Sequence, residues 1–266
     1  MELILRNSDQ KISNLNQHVL VIPSVSNGNV GQLAVECLVH NFDVANHLDV
    51  RSIGWLRSRD VLPLAGNTFL GKEKKKSLIR INLELYQDEK NKIVFLIQRA
   101  PSPSGKERAF SSSLLKWATS MGFERVLVLG GSATKDSTLN RPMNAMCVGS
   151  TAEENENLSV VAKIEANWEK FSKETWIDRF PYSGMLRLYL TAAQALKIRL
   201  SALVLPCVEG NNFMDGMRVA ATALHYLSKN KSLVPSPDDS EIKWALECPR
   251  TWSLVDQDRP LESSMY

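Results

Sequence analysis

The chain has 266 residues, 44% of them hydrophobic and 23% charged, which is enough apolar material for one large folded core. With 32 basic and 29 acidic residues, the net charge of +3 is too small for a protein that binds nucleic acid through its phosphates. No apolar run approaches the ~18 residues that span a bilayer, and the N-terminus lacks a secretory signal pattern, so we expect a soluble intracellular protein.

The first predicted unit is a strand, a turn and a helix. Val19 to Val25 is short and rich in β-branched residues, which predicts a strand. From Val30 to Asn41 apolar residues recur at helical spacing, and the turn before this helix carries Gly28 and Gly31. This arrangement is half of a repeating α/β unit.

Strands and helices alternate along the middle of the chain. Three further strands are predicted at Arg51 to Trp55, Ile79 to Tyr86 and Lys92 to Gln98. A break at 101–105 precedes a helix from about Glu107 to Met121, and Arg125 to Leu129 then forms an apolar strand. A second glycine turn is predicted after this strand, at Gly130 and Gly131. Strand, helix and strand at this spacing indicate a parallel crossover.

The second half of the chain continues the pattern. The predicted elements are a strand at Met146 to Gly149, a helix at Ser159 to Lys173 with Trp168 and Phe171 on its apolar face, a helix at Met185 to Ile198, a strand at Ser201 to Val208 and a helix at Phe213 to Lys229. The sequence therefore predicts an α/β fold with a mostly parallel central sheet flanked by helices on both faces. Residues 1–255 are predicted to form a single α/β domain, and residues 256–266, which show no periodicity, a flexible C-terminal tail.

The two glycine turns are the candidate sites, because α/β enzymes place their ligands beyond the carboxyl ends of strands. Gly28-x-x-Gly31 matches neither common phosphate-binding fingerprint, since a third glycine or a following lysine is missing. An anion could still bind at the start of the helix, so phosphate binding and tight backbone packing both remain open. Neither turn brings a His, a carboxylate or an Arg at motif spacing, and no catalytic residue is predicted.

The cysteines and histidines give no sign of a metal or redox site. The four cysteines are far apart and form no C-x-x-C pair, and no histidine lies at ligand spacing from a cysteine or carboxylate. Cys37 and Cys207 lie within apolar runs and are predicted to be reduced core residues. We therefore expect neither a metal nor a cofactor.

The segment LVIPSVSNGNVGQLAVECLV resembles the N-terminal segment of the PAC2 family of proteasome assembly chaperones. The matching positions are Pro23, Val25, Gly28, Asn29, Val30, Gly31, Gln32, Leu33 and Ala34. Near the other end, KWALECPRTWSLV is similar to the closing pattern of that family through Trp244, Pro249 and Trp252. With these two segments at opposite ends, the resemblance spans nearly the full chain.

The resemblance implies a chaperone and not an enzyme. It implies a scaffold like that of nucleoside phosphorylases, on which the glycine segment serves the architecture. It further implies a heterodimer with proteasome assembly chaperone 1, which promotes assembly of the α-ring of the 20S proteasome and prevents off-pathway α-ring dimers. The implied location is the cytoplasm, with the nucleus as a second one, and neither a membrane nor nucleic acid is an expected partner. The alternative function is a nucleoside-phosphorylase-like enzyme that uses the glycine turns at 28–31 and 130–131.

The resemblance also draws attention to the last residues of the chain. Some chaperones of this kind end in a hydrophobic residue, a tyrosine and one further residue, which enter pockets between neighbouring α subunits. Here the sequence reads Ser264-Met265-Tyr266, so the tyrosine comes last and not second to last. Met265 and Tyr266 are the residues that we expect to contact the α subunits.

Overall fold

The structure is a computed structural model that describes residues 1–7, 12, 15–42, 50–69, 77–133, 145–159, 161, 168–170, 184–231, 246–249 and 252. Its strands are β1 (Glu2–Leu5), β2 (Val19–Pro23), β3 (Val50–Arg57), β4 (Ala65–Phe69), β5 (Ser77–Ile81), β6 (Glu84–Asp88), β7 (Ile93–Ile97), β8 (Arg125–Ala133), β9 (Ala145–Gly149), β10 (Trp168–Lys170) and β11 (Leu200–Cys207). Its helices are α1 (Val30–His40), α2 (Glu107–Ser120), α3 (Ala152–Asn157), α4 (Leu186–Leu196) and α5 (Phe213–Lys231).

Within the described residues, nine strands form one sheet in the order β1-β3-β6-β7-β2-β8-β11-β9-β10. At its centre β7, β2, β8 and β11 run parallel to one another. Antiparallel pairs extend the sheet on both sides, where β6 joins β7 and β9 joins β11, and β1 and β10 form the two edges. β4 and β5 make a separate antiparallel hairpin. The predicted fold class, an α/β fold with a sheet that is parallel through its centre, is confirmed.

The core lies on both faces of this sheet. Val19 and Val21 of β2 face one side, Leu20 and Ile22 face the other, and all four are buried. The helices α1 and α5 pack together on the first face, while α2 and α4 pack on the second. Burial on both sides explains why β2 and β7 are continuous apolar runs without an alternating polar face.

The second predicted glycine turn is wrong. Gly130 and Gly131 lie inside β8, which continues to Ala133, and they pair with Val204 and Leu205 of β11. A Cβ at Gly131 would lie 2.7 Å from the carbonyl oxygen of Asn27 and 2.8 Å from the Cys207 sulfur. The glycines therefore allow close approach of neighbouring backbone within the sheet and do not form a loop.

The predicted helix at Ser159 to Lys173 is helical at Ser159 and Val161, but the prediction is wrong at Trp168 to Lys170. Trp168 to Lys170 form β10, which pairs in parallel with β9 through Trp168 and Ala145. The Trp168 side chain is buried against the core under α1 and α5. Pairing with a neighbouring strand outweighs the helical spacing of a few apolar residues. Phe171 lies outside the described residues.

The predicted strand at Ile79 to Tyr86 is interrupted by a turn that separates β5 from β6. Leu83 adopts a left-handed φ of 57°, and the side-chain carbonyl of Asn82 accepts a hydrogen bond of 2.9 Å from the Leu83 amide. The same Asn82 oxygen accepts from the amides of Arg99 and Ala100. Asparagine thus stabilises a bend that an apolar pattern does not reveal.

The four cysteines are free thiols, and Cys37, Cys147 and Cys207 are buried. Burial raises the pKa of Cys37 and of Cys147 to about 12. None of the helices in the described part of the chain has the length and apolar character to cross a membrane. Residues 256–266 lie outside the described part, so the division into one domain and a tail stays a prediction.

Candidate functional site

The glycine segment lies at the carboxyl end of the central strands, between β2 and α1. Pro23 is the last residue of β2 and pairs with Leu129 of β8. A short 3₁₀ turn follows, in which Gly28 has a φ of 66° and Asn29 a φ of 54°. Glycine adopts this left-handed conformation freely, and asparagine tolerates it better than most residues. The adjacent Gly-Asn pair therefore sets the sharp entry into α1.

Atoms of the chain itself fill the space around this turn. A Cβ at Gly28 would lie 2.6 Å from the Asn212 side-chain nitrogen and 3.1 Å from the Cys207 sulfur. A Cβ at Gly31 would lie only 2.2 Å from the Leu129 carbonyl oxygen, because the first turn of α1 packs directly on β8. Where an enzyme would hold a ligand, this chain places an asparagine, a cysteine and backbone carbonyls.

The polar groups beside the turn are paired with one another. The Ser26 hydroxyl accepts from the Gly131 amide at 3.0 Å and donates to the Ser24 carbonyl at 3.1 Å. The Asn212 amide group donates to the Val208 and Gly210 carbonyls at 3.0 and 3.1 Å. Groups engaged in this way are not available to a phosphate without breaking internal hydrogen bonds.

The chemistry of the turn is also unsuited to nucleophilic catalysis. Burial raises the pKa of the Cys207 thiol, and its sulfur donates to the Asn27 carbonyl at 3.3 Å. A thiol must lose its proton to act as a nucleophile or metal ligand. Among the described residues, no group of three or more His, Cys, Asp and Glu side chains could hold a metal ion.

Gln32, the last polar residue of the matching segment, lies in the first turn of α1. Its amide nitrogen donates to the Asn29 side-chain oxygen at 3.4 Å. Its own oxygen is buried and has no hydrogen-bond partner within the described residues. This hydrogen bond joins the side chains of Asn29 and Gln32 across the first turn of α1.

A C-terminal strap, which we define as residues 246–249 together with Trp252, crosses α1 and α5. The Trp252 side chain stacks on Phe213 of α5, with ring centroids 4.9 Å apart, and its indole nitrogen donates to Glu36 of α1 at 3.3 Å. Pro249 accepts from the Trp252 amide at 2.9 Å, which forms the turn between them. The strap thus fastens the C-terminal region to one face of the fold, while Trp244, Met265 and Tyr266 lie outside the described residues.

Asn41 holds the other end of the strap. Its side chain donates to the Glu247 carbonyl at 2.9 Å and accepts from the Glu247 amide at 2.7 Å. Asn41 is buried and lies 206 residues from its partner in sequence, so no local pattern predicts the contact. An asparagine side chain imitates the two hydrogen bonds that a neighbouring strand would make.

Two exposed apolar patches remain on the described surface. Val208 and Met214 are 70% and 75% exposed at the carboxyl end of the sheet, next to the glycine turn. Leu62 and Leu64 are also exposed, and they line a cleft of about 520 Å³ between β3 and the turn before β6. We call this second feature the leucine cleft.

Comparisons with known proteins find a matching family, related sequences and similar structures. The model of the PAC2 family matches residues 20–234. Proteasome assembly chaperone 2 of Homo sapiens is 28% identical over 251 residues, which cover 89% of this chain and 90% of that protein. The crystal structure of Pyrococcus furiosus PbaA, an archaeal homolog of proteasome-assembly chaperone, is similar with a TM-score of 0.59 and 18% identity, over 89% of this chain and 88% of that one.

The fold also occurs in an enzyme. A futalosine hydrolase mutant of Helicobacter pylori is similar with a TM-score of 0.50 and 9% sequence identity, over 80% of this chain and 99% of that one. At such identities the two structural similarities show the fold alone. They bear out the nucleoside-phosphorylase-like scaffold that the sequence predicts.

Proposed function

Because the chain belongs to the PAC2 family, we propose that it acts as a proteasome assembly chaperone. The observation that carries the proposal is the similarity to proteasome assembly chaperone 2, which extends over about nine-tenths of both chains at 28% identity. A match of that length includes the glycine segment, the central sheet and α5, and is not confined to one motif.

The finer proposal names the partners. The chain pairs with proteasome assembly chaperone 1, and the heterodimer escorts 20S α subunits into a ring while preventing off-pathway α-ring dimers. The exposed Val208 and Met214 support a protein partner, because a partner would remove both from water. The expected location in the cytoplasm, and also in the nucleus, is part of this proposal.

The alternative of a nucleoside-phosphorylase-like enzyme has less support. Its two required sites are the glycine turns, of which one is part of β8 and the other is filled by Asn212 and Cys207. The three atoms nearest to a Cβ at Gly28, Gly31 or Gly131 belong to asparagine, cysteine, valine or backbone groups, and none to an Arg or His that would bind an anion.

Co-purification tests the proposal directly. The full chain, expressed with an affinity tag in cells, is expected to recover proteasome assembly chaperone 1 and free 20S α subunits, identified by mass spectrometry. Recovery of neither would refute the chaperone assignment. In parallel, the thermal midpoint of the purified chain is expected to stay constant in phosphate and nucleosides, because ligands that bind the folded state raise it. A rise of several degrees would favour the enzyme instead.

A further inference from the structure

A buried carboxylate on β6 holds three arginines. The Glu84 side chain is fully buried, and its Oε1 lies 2.5 Å from Arg6 Nη2 and 3.3 Å from Arg80 Nη1. Its Oε2 lies 3.2 Å from Arg99 Nη1. We call Arg6, Arg80 and Arg99 the arginine cluster. Arg6 follows β1 and Arg99 follows β7, and the central sheet brings both to Glu84, whereas Arg80 belongs to β5 of the separate hairpin and precedes Glu84 by four residues.

The arginine cluster carries more positive charge than its neighbours neutralise. Besides Glu84, the only carboxylate paired with it among the described residues is Glu36, whose Oε1 lies 4.0 Å from Arg99 Nε. Three guanidinium groups thus face two carboxylates. These guanidinium groups are still reachable, because the Arg6 side chain is 40% exposed and that of Arg99 20%.

A second ionic network in the same molecule shows that this surplus is not a general feature. At the opposite end of the sheet, two arginines pair with three carboxylates: Arg125, Arg199, Glu124, Glu153 and Glu154. That network includes a fully buried carboxylate and has no surplus of arginine over its printed carboxylate partners.

Aromatic residues fix the position of the arginine cluster. The Arg80 guanidinium lies over the buried Tyr86 ring, 5.5 Å from its centre, and Trp55 pairs with Glu84 across the β3–β6 pair. A ring below a guanidinium group stabilises its positive charge.

The arginine cluster is also continuous with the leucine cleft. Ile81 and Asn82 line the cleft. The Ile81 carbonyl accepts from the Arg99 guanidinium at 2.7 Å, and the Asn82 side chain accepts from the Arg99 amide at 2.8 Å. The two features therefore meet at the 80–84 segment, with Tyr86 beside the arginine cluster on the face that α1 covers and the buried lining of the cleft on the other face.

We propose that the arginine cluster and the leucine cleft together bind an acidic segment of a partner protein, in which carboxylate side chains adjoin apolar ones. The occupant follows from charge complementarity, since a surplus of guanidinium groups selects carboxylates and can bind them through paired hydrogen bonds. This inference depends on the proposed function in one respect: the proposed function is the reason for taking the partner to be a protein.

The first test measures fluorescence anisotropy of a labelled peptide, Glu-Glu-Leu-Leu-Glu-Glu, with the full chain. The peptide is expected to bind at low salt and to bind more weakly at high salt, while Lys-Lys-Leu-Leu-Lys-Lys does not bind. Arg6→Ala is expected to weaken binding about fivefold to tenfold, because it removes the most exposed donor of the cluster. The control variant is Arg187→Ala, which removes an equal charge from the exposed side of α4, on the face of the sheet opposite to the arginine cluster. It should leave the affinity for the peptide unchanged.

Two further variants separate a binding role from a structural one. Glu84→Gln keeps the shape of the side chain and removes its charge, so peptide binding should become several-fold tighter, whereas a merely structural cluster would gain nothing. Replacement of both Leu62 and Leu64 by serine should weaken binding without changing the midpoint of urea unfolding, because both side chains are exposed. Arg6→Ala should also fold, since Glu84 keeps Arg80 and Arg99.

The proposal is overturned if the acidic peptide does not bind, if Arg6→Ala binds it as well as the unmodified chain, or if Glu84→Gln shows no gain. Tighter binding of a single-stranded oligonucleotide, lost in Arg6→Ala, would assign the arginine cluster to nucleic acid and also overturn it. Co-purification of α subunits that persists without peptide binding would refute this surface but not the proposed function.

Discussion

Replacement of Gly31 by alanine tests how closely α1 packs on the central sheet. The added Cβ would lie 2.2 Å from the Leu129 carbonyl oxygen and 2.9 Å from that of Ser24. Both obstacles are buried backbone atoms and cannot rotate away as a side chain could. Since non-bonded atoms in proteins pack best at separations of roughly 3.5 Å, α1 would have to move outward by about 1 Å.

That displacement determines the size of the effect. The helix buries Val30, Ala34, Val35 and Leu38 against the sheet, and a shift of this kind loosens all of these contacts. Overpacking a core costs typically 1–3 kcal/mol, and a rigid obstacle places Gly31→Ala at the upper end, about 3 kcal/mol. For a domain of this size such a loss lowers the thermal midpoint by roughly 6–12 °C.

Urea unfolding followed by circular dichroism measures the change in the free energy of unfolding. The matched control is Gly66→Ala in the β4–β5 hairpin, where a Cβ would meet no atom within 4 Å, and it should change stability by less than about 0.5 kcal/mol. If Gly31→Ala is as stable as Gly66→Ala, then α1 does not depend on this close approach, and the role assigned to the glycine segment is wrong.

Three further predictions concern the buried charge, the strap and the tail. Glu154→Ala should lower the free energy of unfolding by about 3–5 kcal/mol, because it leaves the buried partners of this carboxylate unpaired. In the same urea experiment Glu156→Ala should have almost no effect, because Glu156 is exposed. Trp252→Ala should cost about 3–5 kcal/mol through loss of its buried stack, and a cost under about 1 kcal/mol would show that the strap is not anchored there. Deletion of Met265 and Tyr266 should weaken binding to 20S α subunits in a pull-down while pairing with proteasome assembly chaperone 1 persists, and unchanged α-subunit binding would assign that contact to another part of the complex.

The sequence predicts best those elements whose pattern is local. The strand at β2 and the helix α1 follow from a β-branched run and from helical spacing, and both begin where predicted. β10 escapes prediction because its three residues become a strand only through pairing with β9. Gly130 and Gly131 are read as a turn because glycine is a turn residue in most contexts, and only the neighbouring strand shows that they lie within a sheet.

The candidate sites follow the same rule. The glycine segment is contiguous, so the sequence alone points to it and allows tight backbone packing as one interpretation. The arginine cluster is not contiguous, because Arg6 and Glu84 are separated by 78 residues and meet only through the pairing of β1, β3 and β6. Asn41 and Glu247 likewise meet across 206 residues. Contacts of this kind depend on topology, which spacing along the chain does not record.

The short strands at the two edges of the central sheet limit how copies of this chain could pair with one another. In the part of the chain that the structure describes, the edge strands are β1 with four residues and β10 with three, so each offers few unpaired amides and carbonyls to a second molecule. At the β1 edge the ion pair between Glu2 and Arg57 adds charge, which further discourages strand pairing between copies. Irreversible growth of a sheet across many molecules is therefore disfavoured. Within the described residues, exposed apolar side chains such as Val208 and Met214 are the surface that remains for contact between copies.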